Sequence, residues 1–244
     1  MLETPQGRRL AHVRTEGEGP GIVFLTGFKS DMTGDKATRL EAFAARRGRA
    51  FLRFDYSGHG ASEGRFEDGT IGAWAEDATA AVEALTEGPQ TLVGSSMGGW
   101  IALLLARDMP ERVAGLVTIA AAPDFTEDGY WAGWGAAERS RLMREGSVEV
   151  PSDYGEPYVI TRRLIEDGRR RLVLREPLRL PMPVRCLLGT ADEAVPVAWG
   201  TRLLDHAEGP DIRLTLVKGA DHRFSTPECL ALIERSVEEV SRGL

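Results

Sequence analysis

Short apolar runs alternate with longer segments of helical period along most of this chain. The apolar runs have the length of buried strands, and the helical segments place an apolar face toward a core. The predicted strands are residues 9–13, 21–26, 50–54, 90–94, 113–120, 184–189 and 212–217. The predicted helices are residues 35–47, 71–85, 97–108, 197–206 and 227–242. This alternation predicts an α/β fold with a mostly parallel sheet and helices on both faces.

The alternation stops between about residues 123 and 181. No buried strand is predicted there, and Trp, Tyr, Arg, Gly and Pro become frequent. Ligands of open α/β sheets bind at the carboxyl edge of the strands, so we interpret this stretch as an inserted helical lid over that edge. It shows neither a linker composition nor an internal repeat. The sequence therefore predicts a single domain, residues 1–244, that carries a lid.

The composition is that of an ordinary globular protein. The 244 residues can build one sizeable core, and 42% of them are hydrophobic and 27% charged. A formal net charge of −7 disfavours a nucleic-acid partner. No apolar run reaches the length of a membrane span, and the first residues lack the layout of a secretory signal. These observations predict a cytoplasmic location without a membrane span.

The two cysteines, Cys186 and Cys229, fall in a predicted strand and a predicted helix. We expect both to be buried and unpaired rather than joined in a disulfide. The histidines and cysteines also show no spacing typical of metal ligands. The sequence therefore predicts no metal and no organic cofactor.

The segment from Gly94 to Gly98 has the pattern Gly-x-Ser-x-Gly and lies between a predicted strand and a predicted helix. A side chain at the tip of so tight a turn lies close to neighbouring backbone, and glycine two residues to either side relieves the clash. Ser96 is therefore the predicted nucleophile, with its hydroxyl projecting into a cleft.

A serine hydroxyl needs an imidazole to accept its proton. His222 follows the last predicted strand and precedes the final helix, so its loop can reach the carboxyl edge of the sheet. His12 and His206 have weaker positions on a strand and near a helix end. His59 lies in a glycine-rich turn that we expect to shape the backbone near the site. His222 is the predicted base.

The carboxylate that orients the base is expected in the loop after the preceding strand. Asp192 is the first choice in that loop, and Glu193 is the alternative. Asp221 is adjacent to His222, but neighbours in sequence rarely align for this contact. The resulting chain order, serine then acid then histidine, is that of α/β-hydrolases.

Negative charge on a substrate oxygen needs preorganised donors, which two backbone N–H groups can supply. Met97 follows the nucleophile and opens a helix, and Phe28 follows the second predicted strand. The sequence predicts an oxyanion hole from the N–H groups of these two residues. The alternative role for Phe28 is that of a core aromatic.

The motifs at residues 27–34, 53–58, 93–100 and 221–222 resemble one branch of the α/β-hydrolase superfamily, that of α/β-hydrolase domain-containing protein ten. The resemblance extends from about residue 20 to the end and includes residues 151–154. It implies an α/β-hydrolase fold, acyl-protein thioesterase or acyl-glucuronide esterase activity, and a triad of Ser96, Asp192 and His222. The mitochondrial members carry an amino-terminal targeting extension that this sequence lacks, which again favours a cytoplasmic location.

Two groups of side chains in the predicted lid have open interpretations. Its aromatic residues either bind an apolar acyl chain or pack the lid onto the body, and they are Phe125, Tyr130, Trp131, Trp134, Tyr154 and Tyr158. Its arginines either form a solvated face or grip an acidic substrate, and they are Arg162, Arg163, Arg169, Arg170, Arg171, Arg175 and Arg179.

The leading interpretation is a serine hydrolase that cleaves carboxylic ester or thioester bonds of small molecules or acylated proteins. A dehalogenase or epoxide hydrolase on this scaffold would need a carboxylate at position 96. The alternatives are a carrier-protein methyl-ester esterase, a peptidase on the same triad, and a ligand-binding relative without turnover. The sequence gives no prediction of the oligomeric state.

Overall fold

The computed structural model describes residues 1–152 and 157–241. Its strands are β1 (Leu2–Glu3), β2 (Arg9–Leu10), β3 (His12–Thr15), β4 (Glu18–Leu25), β5 (Arg49–Phe54), β6 (Gln90–Ser95), β7 (Val113–Ile119), β8 (Ser147–Val150), β9 (Tyr158–Thr161), β10 (Leu178–Arg179), β11 (Val184–Gly189), β12 (Ala207–Glu208) and β13 (Ile212–Val217). Its α-helices are α1 (Asp35–Arg46), α2 (Ile71–Leu85), α3 (Met97–Asp108), α4 (Ala136–Glu145), α5 (Arg162–Gly168), α6 (Val197–His206) and α7 (Pro227–Val240). Short 3₁₀ turns (Phe66–Asp68, Pro110–Arg112) and a π-helix (Phe125–Trp131) complete the elements. No helix among them is both long and apolar enough to cross a membrane.

The central sheet has seven strands in the order β13-β11-β7-β6-β4-β5-β3. β3 is antiparallel to β5, and every other neighbouring pair is parallel. All residues of β6, β7 and β11 are buried, as expected of parallel strands that are covered on both faces. The predicted mostly parallel sheet is therefore confirmed, with β6 at its centre.

Both faces of the sheet carry helices, and β4 shows the two-residue period that sends side chains to each. Val23 and Leu25 belong to a core cluster that includes residues of α2 and α3. Ile22 and Phe24 belong to a second cluster with residues of α1 and α7. Burial of apolar side chains on both faces is the main stabilising contribution in such a layered fold.

Most predicted elements coincide with the observed ones to within a few residues, but the first predicted strand does not. Residues 9–13 divide into β2, which pairs with β1, and β3, which pairs with β5. The division falls at Ala11, whose N–H donates to the Ser62 hydroxyl at 2.8 Å instead of to a neighbouring strand. The last residue of the predicted final helix, residue 242, lies outside the described residues.

The segment between β7 and β11, residues 123–181, is called the insertion below. It contains the π-helix, α4 and α5, but β8 and β9 also form an antiparallel hairpin. Val148 and Ile160 face each other across this hairpin, and both are buried. The stretch predicted as a helical lid without a buried strand therefore also contains two short strands, each with one buried residue. Four-residue strands are too short to show a clear two-residue period in the sequence.

The two ends of the insertion are held together by the carboxylate of Asp124. This residue follows β7 with a φ of +60° and is fully buried. Its carboxylate accepts hydrogen bonds from the backbone N–H groups of Val173 at 2.8 Å and Leu174 at 3.0 Å. Arg175 donates to the same carboxylate at 3.2 Å and also pairs with Asp128. A single buried acid thus joins the start of the insertion to its return segment.

We expect Asp124→Ala to lower the free energy of unfolding by about 3 kcal/mol, because two buried N–H donors lose their acceptor. The matched control is Asp128→Ala, which removes a partly exposed carboxylate from Arg175 and from Arg202 and should lower stability by no more than about 1 kcal/mol. Urea denaturation measures both values. Equal effects of the two variants would contradict the anchoring role of Asp124.

Candidate active site

Ser96 lies at the turn between the end of β6 and the start of α3. Its backbone has φ +55° and ψ −118°, a strained combination for a residue with a side chain. A Cβ atom on Gly94 would lie 2.2 Å from the carbonyl oxygen of Gly98. A Cβ atom on Gly98 would lie 2.1 Å from the carbonyl oxygen of Leu25. Both glycines of the pattern are therefore required for the close approach of backbone around Ser96.

Three side chains from separate loops form a continuous hydrogen-bonded chain. The Nε2 atom of His222 lies 3.2 Å from the Oγ atom of Ser96. The Nδ1 atom of the same ring lies 2.8 Å from Oδ2 of Asp192. A carboxylate can only accept, so Nδ1 carries the proton and the Nε2 lone pair faces the serine. The structure thus brings together the predicted nucleophile, base and acid at the carboxyl ends of β6, β13 and β11.

The backbone of its own loop fixes the Asp192 carboxylate. The Oδ1 atom accepts hydrogen bonds from the N–H groups of Ala194 at 2.9 Å and Val195 at 2.7 Å. Asp192 is buried, whereas the two alternative acids, Glu193 and Asp221, are exposed. Asp192 is therefore the acid that contacts His222.

The other histidines lie elsewhere. His12 is half-buried on β3, and the Nε2 atom of His206 lies 2.6 Å from the carbonyl oxygen of Glu176. Neither residue lines the cavity beside Ser96.

The backbone N–H groups of Phe28 and Met97, near Ser96, donate to no acceptor within the described residues. Met97 is the first residue of α3, so its N–H lacks an intrahelical partner. By contrast, the N–H of Ser96 donates to Ile119 at 2.9 Å, and the N–H of Lys29 donates to His59 at 3.2 Å. Phe28 and Met97 both line the cavity with Ser96. Their positions fit the pair of donors that an oxyanion requires.

A cavity of about 730 Å³ contains Ser96 and His222 in its wall. Aromatic side chains from the loop after β4, from the insertion and from α6 line it, namely Phe28, Phe125, Tyr130, Tyr158 and Trp199. Trp131 and Trp134 do not line the cavity; Trp131 stacks under the Arg169 guanidinium and Trp134 stacks on Tyr130. Some aromatic residues of the insertion thus line the cavity, and others pack against neighbouring side chains. Tyr154 lies outside the described residues.

Six of the seven arginines singled out in the insertion form ion pairs with acids, whereas the buried Nε atom of the seventh, Arg171, has no hydrogen-bond partner among the described residues. The ion pairs are Arg162–Glu166, Arg163–Asp68, Arg169–Glu127, Arg170–Asp167, Arg175–Asp128 and Arg179–Glu208. None of these arginines lines the cavity. The arrangement therefore favours the interpretation that these arginines form a solvated face, rather than that they bind an acidic substrate.

The glycine-rich turn after β5 places His59 under the loop that carries Phe28. His59 is only 3% exposed, and its Nδ1 atom lies 3.3 Å from the carbonyl oxygen of Ser57. Burial lowers its pKa from 6.5 to about 4, and the Ser57 carbonyl and the nearby Asp77 offset only part of this effect. His59 is therefore uncharged in the folded protein at neutral pH.

A serine on a strained strand-to-helix turn, facing an imidazole and a buried carboxylate, is the arrangement of serine hydrolases on this type of sheet. The chain matches the model of the alpha/beta hydrolase family over residues 22–239 and belongs to that family. It is a hydrolase of ester or thioester bonds.

Relatives place the chain in a particular branch of the family. It is 34% identical to "Palmitoyl-protein thioesterase ABHD10, mitochondrial" of Rattus norvegicus, over 98% of this chain and 81% of the rat protein. Its structure is similar to that of mouse alpha/beta hydrolase domain-containing protein 10, with a TM-score of 0.91 and 34% identity over 98% of this chain and 96% of that one. A putative hydrolase from Agrobacterium vitis S4 gives a TM-score of 0.92 at 40% identity over 99% and 96% of the two chains. The predicted resemblance to the ABHD10 branch is confirmed.

The prediction of a cytoplasmic location is wrong. The rat, bovine, mouse and human relatives are named as mitochondrial proteins, which contradicts the prediction. That prediction depended on the layout of the first residues of the sequence.

The lowered pKa of His59 predicts a specific dependence of stability on pH. Between about pH 6.5 and 4 the unfolded chain binds a proton at His59 that the folded protein does not, so acidification destabilises the fold. We expect the wild type to lose about 3 kcal/mol more than His59→Gln over this range. Denaturant unfolding of both proteins at pH 7 and pH 4 measures the difference. Equal losses of unfolding free energy in the two proteins would contradict the lowered pKa of His59.

Proposed function

We propose that this protein hydrolyses acyl thioesters and acyl esters through an acyl-enzyme on Ser96. The observation that carries the proposal is the position of His222, which lies between the serine hydroxyl and the Asp192 carboxylate at 3.2 and 2.8 Å. In this proposal His222 is the general base and then the general acid, and Asp192 holds its ring in the productive tautomer.

The proposed reaction has two halves. The Ser96 oxygen attacks the acyl carbonyl while its proton passes to Nε2 of His222. The N–H groups of Phe28 and Met97 donate hydrogen bonds that stabilise the negative charge on the carbonyl oxygen. Collapse of this intermediate expels the thiol or alcohol, which takes the proton from His222. A water molecule then gives a proton to His222 and attacks the acyl-enzyme carbonyl. The bond to the Ser96 oxygen breaks, the carboxylic acid leaves, and His222 returns the proton to the Ser96 oxygen.

The aromatic lining of the cavity supports an apolar acyl group as the part of the substrate that is recognised. Phe125, Tyr130 and Tyr158 from the insertion, together with Trp199 from α6, provide apolar surface beside Ser96. The relatives named as palmitoyl-protein thioesterases support an acyl thioester as the substrate class. Methyl-ester hydrolysis, peptide hydrolysis and binding without turnover are not favoured by these names.

We also propose that the chain is one domain whose insertion acts as a lid. Residues of the insertion such as Leu142, Ile160 and Leu164 belong to the same buried cluster as Val23 of the sheet and Trp100 of α3. Such shared burial supports a lid that is packed on the body. It also explains why lid residues can line the cavity beside the nucleophile.

We expect Ser96→Ala to abolish labelling by a fluorophosphonate probe and to lower kcat for p-nitrophenyl esters and acyl thioesters by about 10⁴ to 10⁶-fold. The control is Ser95→Ala, which removes the adjacent buried hydroxyl and should leave labelling intact. A wild-type protein that neither reacts with the probe nor turns over esters would instead be a binding protein.

An acyl series tests the proposed role of the cavity. Each methylene buried against the aromatic lining contributes about 0.8 kcal/mol, so kcat/KM should rise about fourfold per carbon until the cavity is full. Thioesters and oxygen esters with the same graded acyl chains allow the leaving group to be compared separately. A profile that is flat or falls from the shortest chain upward would contradict acyl binding in the cavity.

A further inference from the structure

The turn after β5, residues 55–62, supports the loop after β4 that carries Phe28. The Asp55 carboxylate accepts hydrogen bonds from the N–H of Met32 at 2.7 Å and from the N–H of Ala61 at 2.8 Å. Gly60, with a φ of +47°, allows this approach, because a Cβ there would lie 2.2 Å from Oδ2 of Asp55. One carboxylate thus joins the two loops.

His59 makes the second connection between these loops. Its Nε2 atom accepts the N–H of Lys29 at 3.2 Å. A backbone N–H can only donate, so Nε2 carries a lone pair and the ring proton is on Nδ1, toward the Ser57 carbonyl. The rings of Phe66 and Trp74 pack edge-on against the imidazole, with centroids 5.2 and 5.0 Å away. The neutral tautomer and the orientation of the ring are thereby fixed.

The hydrogen bond from Lys29 to His59 holds one of the two peptide groups that flank Phe28. Lys29 has a φ of +52°, a conformation that is unfavourable for a residue with a side chain and must be stabilised by its surroundings. The other flanking peptide is held through its carbonyl, because Gly27 accepts the N–H of Ser30 at 3.2 Å. In a trans peptide the N–H points opposite to the carbonyl, so this contact directs the Phe28 N–H away from Ser30.

The Phe28 side chain is fixed by the same cluster of rings. It packs edge-on against Phe66 and Trp74, which also contact His59, and against Phe125 and Tyr158 of the insertion. The centroid distances lie between 4.8 and 5.8 Å, within the range of favourable aromatic pairs. Both the side chain and the flanking peptides of Phe28 are therefore held in place.

We propose that His59 is a positioning residue for the oxyanion hole: its unprotonated Nε2 holds the Lys29 N–H and so keeps the Phe28 N–H directed at the substrate oxygen. This inference rests on the proposed function, in which the Phe28 N–H meets the developing negative charge. The low pKa of the buried ring, about 4, keeps Nε2 an acceptor at neutral pH. A rigid donor stabilises the oxyanion without reorganisation, which is the condition for effective catalysis.

Two variants of His59 distinguish the contribution of its hydrogen bond to catalysis from the contribution of its packing. His59→Leu fills a similar volume without an acceptor, and His59→Gln places a carbonyl oxygen close to the position of Nε2. We expect His59→Leu to lower kcat for an acyl ester by about 10- to 100-fold with KM changed less than about twofold, because a misplaced donor loses part of its transition-state stabilisation. His59→Gln should recover most of the loss.

The affinities of two inhibitors distinguish a positioning role of His59 from a purely structural role. An alkyl trifluoromethyl ketone adds to Ser96 and forms an oxyanion, whereas the matching alkyl methyl ketone occupies the cavity mainly as the free ketone. His59→Leu should weaken binding of the trifluoromethyl ketone by the same factor by which it lowers kcat. Binding of the methyl ketone should be unchanged. Equal weakening of both inhibitors, unchanged kcat in folded His59→Leu, or failure of His59→Gln to recover activity would overturn the proposal.

A measurement on the wild type covers the case in which His59→Leu does not fold. ¹⁵N NMR of the imidazole should show an unprotonated Nε2 and a protonated Nδ1 at neutral pH, and a protonated Nε2 would overturn the proposal. Ser96→Ala distinguishes this inference from the proposed function. If Ser96→Ala retained turnover, the proposed function would be refuted. If Ser96→Ala lost turnover but His59→Leu had a normal kcat, only the proposed role of His59 would be refuted.

Discussion

The candidate active site is built around the hydrogen bond between the Nε2 atom of His222 and the hydroxyl of Ser96, at 3.2 Å. The two residues lie 126 positions apart in the sequence, and only the strand order of the sheet brings them together. β6, β11 and β13 run parallel, so the loops at their carboxyl ends meet at one edge. The burial that fixes the sheet therefore also fixes the distance between Ser96 and His222.

Close approach of backbone is the second constraint around this contact. Gly94 and Gly98 leave no room for a side chain, and the strained backbone of Ser96 persists because its N–H is bonded to Ile119. Asp55 and His59 hold the loop that carries Phe28, in which Lys29 also has a positive φ. Unfavourable backbone conformations at the candidate site are thus maintained by hydrogen bonds and packing.

The sequence allowed the elements and the three contacting side chains of the candidate site to be predicted because their signals are local. Ser96 lies in a pattern typical of a strand-to-helix turn, and β11 and α3 begin and end where their apolar periods do. The contacts that the sequence missed join distant segments: Arg163 pairs with Asp68, and His59 meets the N–H of Lys29. The hairpin of β8 and β9 was missed because its strands are too short to show a period.

The most direct test of the account is to identify the residue that carries the acyl group during turnover. Rapid acid quench of the enzyme with an acyl thioester, followed by intact-mass analysis and peptide mapping, detects a covalent intermediate of the type that serine hydrolases form. The account predicts one acyl group per chain, on the peptide that contains Ser96 and at that residue. An acyl group on a different side chain, or steady turnover under conditions that should accumulate an intermediate but show none, would contradict it.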